Sequence, residues 1–217
     1  MLACVMTSSA QRSYQPRLDL GLKMGATMSN MSFTPTVDQK MLMGMITGLT
    51  VRYSEEKLFG LLAEINIDQR GWEEKFDTGN FQFSRRFTYL DIPIMTHINF
   101  GGKRFRGFVN LGPSFGFMIG DEKSGNFDFE NPDKVEGFPI KDRHVSQMSM
   151  PIKHKFDYGI VGGIGGEFRF RERHALLMEV RYYFGLGNVF PNAKKDEFSA
   201  SRSTSIQISL GYAFRLK

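Results

Sequence analysis

The chain has 217 residues, of which 41% are hydrophobic, 13% aromatic and 24% charged, with a net charge of +5. That is enough for one folded domain, and no apolar run approaches the ~18 residues of a transmembrane helix. Strands that cross a membrane are not excluded, because they are apolar on only one face. Basic and acidic residues alternate instead of clustering, which argues against nucleic acid as a partner, and the single cysteine, Cys4, excludes an internal disulfide framework.

Residues 1–10 read as the end of a secretory signal peptide. Leu2, Val5 and Met6 close an apolar stretch, and Thr7, Ser8, Ser9 and Ala10 supply small residues for a cut after Ala10. The positively charged start of such a leader is missing from it. A lipid-attached Cys4 is the rival reading, in a poor acylation context, and either one implies export. Residues 11–16 are polar and irregular, and one domain is expected over residues 17–217.

From residue 17 onward the pattern has a period of two, the mark of strands with two unlike faces. A first strand over residues 17–29 sets Leu18, Leu20, Leu22, Met24, Ala26 and Met28 against Arg17, Asp19, Gly21, Lys23, Gly25 and Thr27. After a loop over 30–40, a second strand covers 41–53 and a polar turn covers 54–57. A third strand over 58–72 sets Leu61, Ala63, Ile65 and Ile67 against Leu62, Glu64, Asn66, Asp68 and Arg70.

A loop over 73–80 leads to a fourth strand, where Thr88, Leu90, Ile92, Ile94, Ile98 and Phe100 form the apolar parity. Upstream, Phe81, Phe83 and Phe87 hold the other parity, so a bulge is expected near residues 86–88, with a second irregularity beside Pro93. Gly101-Gly102-Lys103 is a hairpin turn. A fifth strand follows over 104–119, then the longest irregular segment, 120–151. The sixth strand alternates for about twice the usual length: Phe156, Tyr158, Ile160, Ile164, Phe168 and Phe170 against Lys155, Asp157, Val161, Glu167 and Arg169. A turn at 171–174, a seventh strand from Leu176 to Leu186, a loop over 187–201 and an eighth strand over 205–216 complete the chain.

Connections after the even strands are short and those after the odd strands longer. Aromatic residues of the apolar parity gather at both strand ends, Tyr53, Phe100, Phe105, Phe168, Tyr212 and Phe214 at one and Phe115, Phe117, Phe156, Tyr158 and Phe184 at the other. The expectation is an all-β, eight-stranded antiparallel up-and-down transmembrane barrel. Its short turns and both termini would be periplasmic and its longer loops extracellular, in the outer membrane and against its lipid. A soluble eight-stranded barrel would put the apolar parity inside and needs no aromatic bands.

Several blocks carry a resemblance: Tyr89-Leu90-Asp91-Ile92-Pro93-Ile94, Leu111-Gly112-Pro113-Ser114-Phe115-Gly116, Phe156-Asp157-Tyr158-Gly159-Ile160-Val161-Gly162-Gly163, residues 177–188, and the ending Ser209-Leu210-Gly211-Tyr212-Ala213-Phe214. Together, from Leu18 to Phe214, they resemble the PorT-type outer-membrane β-barrel proteins of Bacteroidetes. The resemblance implies a small outer-membrane barrel without catalytic residues, with the family's namesake associated with the type IX secretion system. Arg215-Leu216-Lys217 depart from barrel endings that close on the aromatic itself.

On the predicted inward parity lie Lys23, Glu64, Asp68, Arg70, Asp91, Arg106, Asp157, Glu167, Arg169, Glu179 and Arg181, along with Arg17, Asp19, Arg52, Lys155 and Arg215. An eight-stranded barrel is only wide enough for side chains, and the signs nearly balance, so a salt-bridged filling is expected over an ion path. No catalytic, cofactor-binding or metal residues are assigned: His97, His144, His154 and His174 have no metal-ligand spacing. The Gly159–Gly166 run has neither nucleotide-loop spacing nor a following helix, and relieves crowding instead. The expected function is non-enzymatic, in protein secretion or envelope organisation, with partner proteins engaged through the 120–151 loop. The alternatives are an enzyme of lipid or lipopolysaccharide chemistry using His144 or His154 with Ser146 and Asp142, and a narrow channel.

Overall fold

The computed structural model describes residues 16–55, 58–77, 80–139, 144–193 and 196–216. The expected leader with Cys4, residues 11–15, Asp142 and part of the turn over 54–57 lie outside them. The strands are β1 (Arg17–Thr34), a two-residue β2 (Gln39–Lys40), β3 (Leu42–Ser54), β4 (Phe59–Glu74), β5 (Phe83–Gly101), β6 (Phe105–Gly125), β7 (Phe156–Phe170), β8 (His174–Gly185) and β9 (Ala200–Arg215). Each long strand pairs antiparallel with the next. The ring closes where β1 meets β9, from Asp19 opposite Arg215 to Thr34 opposite Ala200. The result is the eight-stranded up-and-down barrel expected, with β2 an appendage on the far end of β4.

Period-two alternation places the faces. Met24, Ile164 and Leu210 are 61%, 66% and 62% exposed on the outside, while Asp157, Glu167, Glu179 and Arg181 are buried within. So long an apolar outer wall would be an aggregation hazard in water and matches hydrocarbon. Rings gather at its two edges: Phe105 and Phe168 lie 4.7 Å apart near the tight turns, and Phe117 and Phe156 5.0 Å apart towards the loops. The turns are built by local backbone chemistry. Gly101 takes φ 116°, which a side chain resists, and the Gly102 amide donates to the Phe105 carbonyl at 2.9 Å. Arg171 takes φ 57° between the paired Phe170 and His174.

Three expectations are met only in part. The inward parity of β5 never switches: Phe83, Arg85, Phe87, Tyr89 and Asp91 are all buried. The expected bulge is present between Thr88 and Tyr89, but its extra residue stands on the partner strand: Thr88 pairs with Gly120 and Tyr89 with Met118, which leaves Ile119 of β6 over. The inward phenylalanines were read as a parity change, yet they face an apolar core inside the barrel. Second, the irregularity expected beside Pro93 is present as a gap in pairing at unchanged register: β4 pairs resume from Asn66–Asp91 to Ala63–Ile94, and β6 pairs from Pro93–Ser114 to Thr96–Leu111, with none between. Third, strand pairing extends beyond the sequence boundaries at the loop end. β1 runs to Thr34, β9 starts at Ala200, and β6 continues to Gly125, into the segment expected to be irregular. The remainder of that segment holds a 3₁₀ turn (Pro132–Lys134) and one helical turn, α1 (Ser146–Ser149).

Candidate functional site

The barrel interior has two storeys. In the storey near the tight turns, Glu64 of β4 accepts both guanidinium nitrogens of Arg181 of β8 at 2.7 Å and the Lys23 ammonium at 2.6 Å. Arg52 of β3 reaches Glu167 of β7 at 2.6 Å and Asp19 of β1 at 2.7 Å. In the ring order β4 faces β8 and β3 faces β7, so these pairs span the full diameter of the lumen. Arg181 also pairs with Glu179 at 2.7 Å, Asn110 donates to Glu179 at 2.7 Å, and His97 Nδ1 lies 2.7 Å from Asn110 Oδ1. With His97 Nε2 3.4 Å from Arg52 and Arg215 of β9 3.3 Å from Asp19, a connected polar network touches all eight ring strands. Buried charges cost several kcal/mol each unless fully partnered, and here the partners come from the wall itself. What space remains in this storey is a cavity of about 40 Å³, room for a few water molecules.

Glycine makes room for these side chains. A Cβ on Gly163 would lie 2.6 Å from Arg181 Cγ, and one on Gly159 would lie 2.8 Å from the Tyr183 ring. Crowding therefore accounts for Gly163, against Arg181 and Glu179, and for Gly159 and Gly165, against the rings of Tyr183 and Phe108, whereas a Cβ on Gly166 would meet nothing within 4 Å.

Midway, fully buried Arg70 pairs with Asp68 at 2.9 Å, Asp91 at 2.7 Å and Asp157 at 3.5 Å. Thr27 and Gln207 each donate to Asp68 at 2.9 Å, Ser114 donates to Asp91 at 2.9 Å and Tyr183 to Asp157 at 2.9 Å. The rings of Tyr89 and Tyr183, 4.7 and 4.1 Å from the guanidinium carbon, bound the ionic storey by cation–π contact.

Beyond them the inward positions turn aromatic. Trp72 has Phe33 at 5.3 Å, Phe87 at 5.8 Å and Phe190 at 6.0 Å. Phe198, Met148 and Val189 complete a core supplied partly by loops, and a second nest of Phe76, Phe81, Phe127 and Phe138 closes above it. Arg85 pins the plug. It grips Asp121 at 2.7 and 2.9 Å and donates to the carbonyls of Gln147 at 3.1 Å and Met150 at 2.8 Å. Gln147 in turn donates to Glu74, which also accepts the Trp72 indole N–H at 3.0 Å. At the surface of the same segment, Asp128 accepts from Asn131 and from the Glu130 and Asn131 backbones, and Asn131 above all holds its carboxyl below the usual carboxylate range.

Of the residues singled out from sequence, Lys23, Glu64, Asp68, Arg70, Asp91, Asp157, Glu167, Glu179 and Arg181 are buried in the lumen. Arg169 sits half-buried at its edge, bonded to Glu167, and Arg106 lies at the turn-end mouth, donating to the Gly102 carbonyl at 3.1 Å. Lys155, expected inside, is exposed just ahead of β7. His144 pairs with Glu197 at 3.0 Å, Ser146 Oγ is buried and makes no hydrogen bond among the described residues, and His154 is exposed. Sequence reasoning missed Arg85, Asp121, Glu74 and Gln147. Their signal is the parity that Phe83, Arg85 and Phe87 share with Asp91, which the run of phenylalanines disguises as a change of face.

A comparison with curated protein sequences gives no match. Among solved structures, the outer membrane protein OprG of Pseudomonas aeruginosa has a TM-score of 0.50 at 12% identity, over 91% of this chain and 95% of that one. Neisserial surface protein A has a TM-score of 0.47 at 10% identity (90% and 96% covered), and Ail of Yersinia pestis 0.43 at 13% (91% and 99% covered). At such identity the likeness conveys the barrel fold alone. The family model described as outer membrane protein beta-barrel domain matches residues 9–191. With an eight-stranded ring, an apolar outer wall and a match over most of its length, the chain belongs to that family and is an integral protein of the outer membrane.

Proposed function

We propose that this protein is a closed, non-enzymatic barrel of PorT type that serves as a membrane-embedded member of a protein-secretion or envelope-organising assembly. Its tight turns and termini lie in the periplasm and its capped loops lie outside. The observation that carries this reading is the pair of cross-lumen bridges, Arg181–Glu64 and Arg52–Glu167, which cross the lumen from wall to wall. A barrel that conducts nothing acts through its two ends. The short-turn, long-loop asymmetry supports the orientation, and the blocks resembling PorT-type proteins support the assembly. Against acyl-transfer chemistry stands Ser146, whose buried Oγ makes no hydrogen bond to His144 among the described residues, because a nucleophile needs its base within hydrogen-bond reach.

A deletion strain is expected to lose secretion of surface and extracellular proteins, or envelope integrity, and photo-crosslinkers placed in residues 126–139 should capture an envelope protein. Normal secretion, an intact envelope and no crosslink would sink the reading. Planar-bilayer recordings of the reconstituted barrel are expected to be silent, and alanine at His144, Ser146 and His154 is expected to leave lipid composition unchanged. Single-channel events or altered lipid A would move the assignment to a channel or an enzyme.

A further inference from the structure

At the turn end of the barrel a cleft of about 730 Å³ opens on the axis, lined by six arginines and Lys103, with Glu172 as the one acid among its lining residues. Arg104 and Arg171 are exposed on the two turns that flank it. Deeper in, Arg169 contacts Glu167 and Arg215 lies 3.3 Å from Asp19. Those two carboxylates are already engaged from below by Arg52, at 2.6 and 2.7 Å. Three arginines thus share two carboxylates, and the surplus positive charge sits at the mouth. Clefts lined by one sign of charge concentrate the opposite ion, and guanidinium forks match oxyanions in pairs.

We propose that this mouth is a docking site for an acidic peptide segment of a soluble partner. Parity decides the route of approach. Arg106, Arg169 and Arg215 stand on the inward parity, whereas their outward neighbours Phe105, Phe168 and Phe214 present rings to the lipid side. Leaflet headgroups meet the outward residues, so a ligand for the inward arginines arrives along the axis, from water. Stacking rings for nucleobases are absent among the lining residues, which leaves a carboxylate-rich chain as the complementary polyanion. The inference is independent of which side of the membrane the turn end faces, and of the secretion reading.

The test uses the full chain in zwitterionic nanodiscs with fluorescein-labelled oligoglutamate, read by anisotropy. Saturable binding is expected at low ionic strength, weakened at least about tenfold in about 1 M salt, where the screening length is ~3 Å. The triple variant Lys103→Glu, Arg104→Glu, Arg171→Glu alters only exposed turn residues and leaves the lumen network in place. With its heat-dependent gel shift intact, it is expected to bind at least about tenfold more weakly. Binding that is absent from the wild type, or equal in the variant, overturns the proposal. Displacement of the peptide when anionic phospholipid replaces zwitterionic lipid also overturns it and assigns the arginines to headgroups.

Discussion

Near the tight turns, inward positions of β3, β4, β7 and β8 carry Arg52, Glu64, Glu167 and Arg181. A few residues along, the same faces of β4 and β5 carry Trp72, Phe83 and Phe87. Both storeys use one parity of the same strands, yet they are completed from different places. Every partner named in the ionic storey stands on a strand of the wall, so that storey is finished once the ring closes. The aromatic storey takes Phe190, Phe198, Met148 and Phe138 from the loops, so it is finished only when the loops fold in. The first storey fixes register, because a one-residue slip would turn its charges toward lipid, at roughly 2–4 kcal/mol for an arginine at the midplane. The second couples loop conformation to the barrel.

The contrast can be broken most forcefully at Arg70. Arg70→Met strips the cation from three buried aspartates and is expected to cost about 3–5 kcal/mol in urea unfolding from detergent or vesicles. Adding Asp68→Asn, Asp91→Asn and Asp157→Asn should restore most of that loss. A single variant as stable as the wild type would mean the ionic storey is not held by this centre.

Phe190→Ala probes the other storey. The expected cost is about 3 kcal/mol, confined to the loop end: faster hydrogen exchange in residues 186–193 and 144–150, with an unchanged gel shift. Equal loss of protection in β7 and β8 would show the two storeys unfolding as one unit. Arg85→Met removes the clasp on the Gln147 and Met150 carbonyls, and should cost about 1.5–3 kcal/mol and hasten proteolysis within residues 126–155. Cleavage no faster than in the wild type would show that aromatic packing alone seats the plug. The smallest effect is expected at the exposed His144–Glu197 pair: Glu197→Gln should change stability by less than about 1 kcal/mol. A larger change would make that surface contact part of the plug.

How much was legible depends on the range of the interaction. The alternation of β7 and β8 gave the strand faces, and with them the burial of Glu167, Glu179 and Arg181, because side-chain direction in a strand is local. Turn chemistry at Gly101 and connection lengths gave the ring order for the same reason. Parity alone could not say that Arg181 meets Glu64 or that Arg52 meets Glu167. Those partners are separated by 117 and 115 residues, and only barrel closure brings opposite strands face to face. Nor could it say what packs with Phe83 and Phe87, since part of the core around them, Phe129, Phe190 and Phe198 included, comes from loops without a period to read. The sequence by itself determined the wall and its two faces. The tertiary structure decided what fills it, because filling a closed barrel is a matter of which residues meet across the axis.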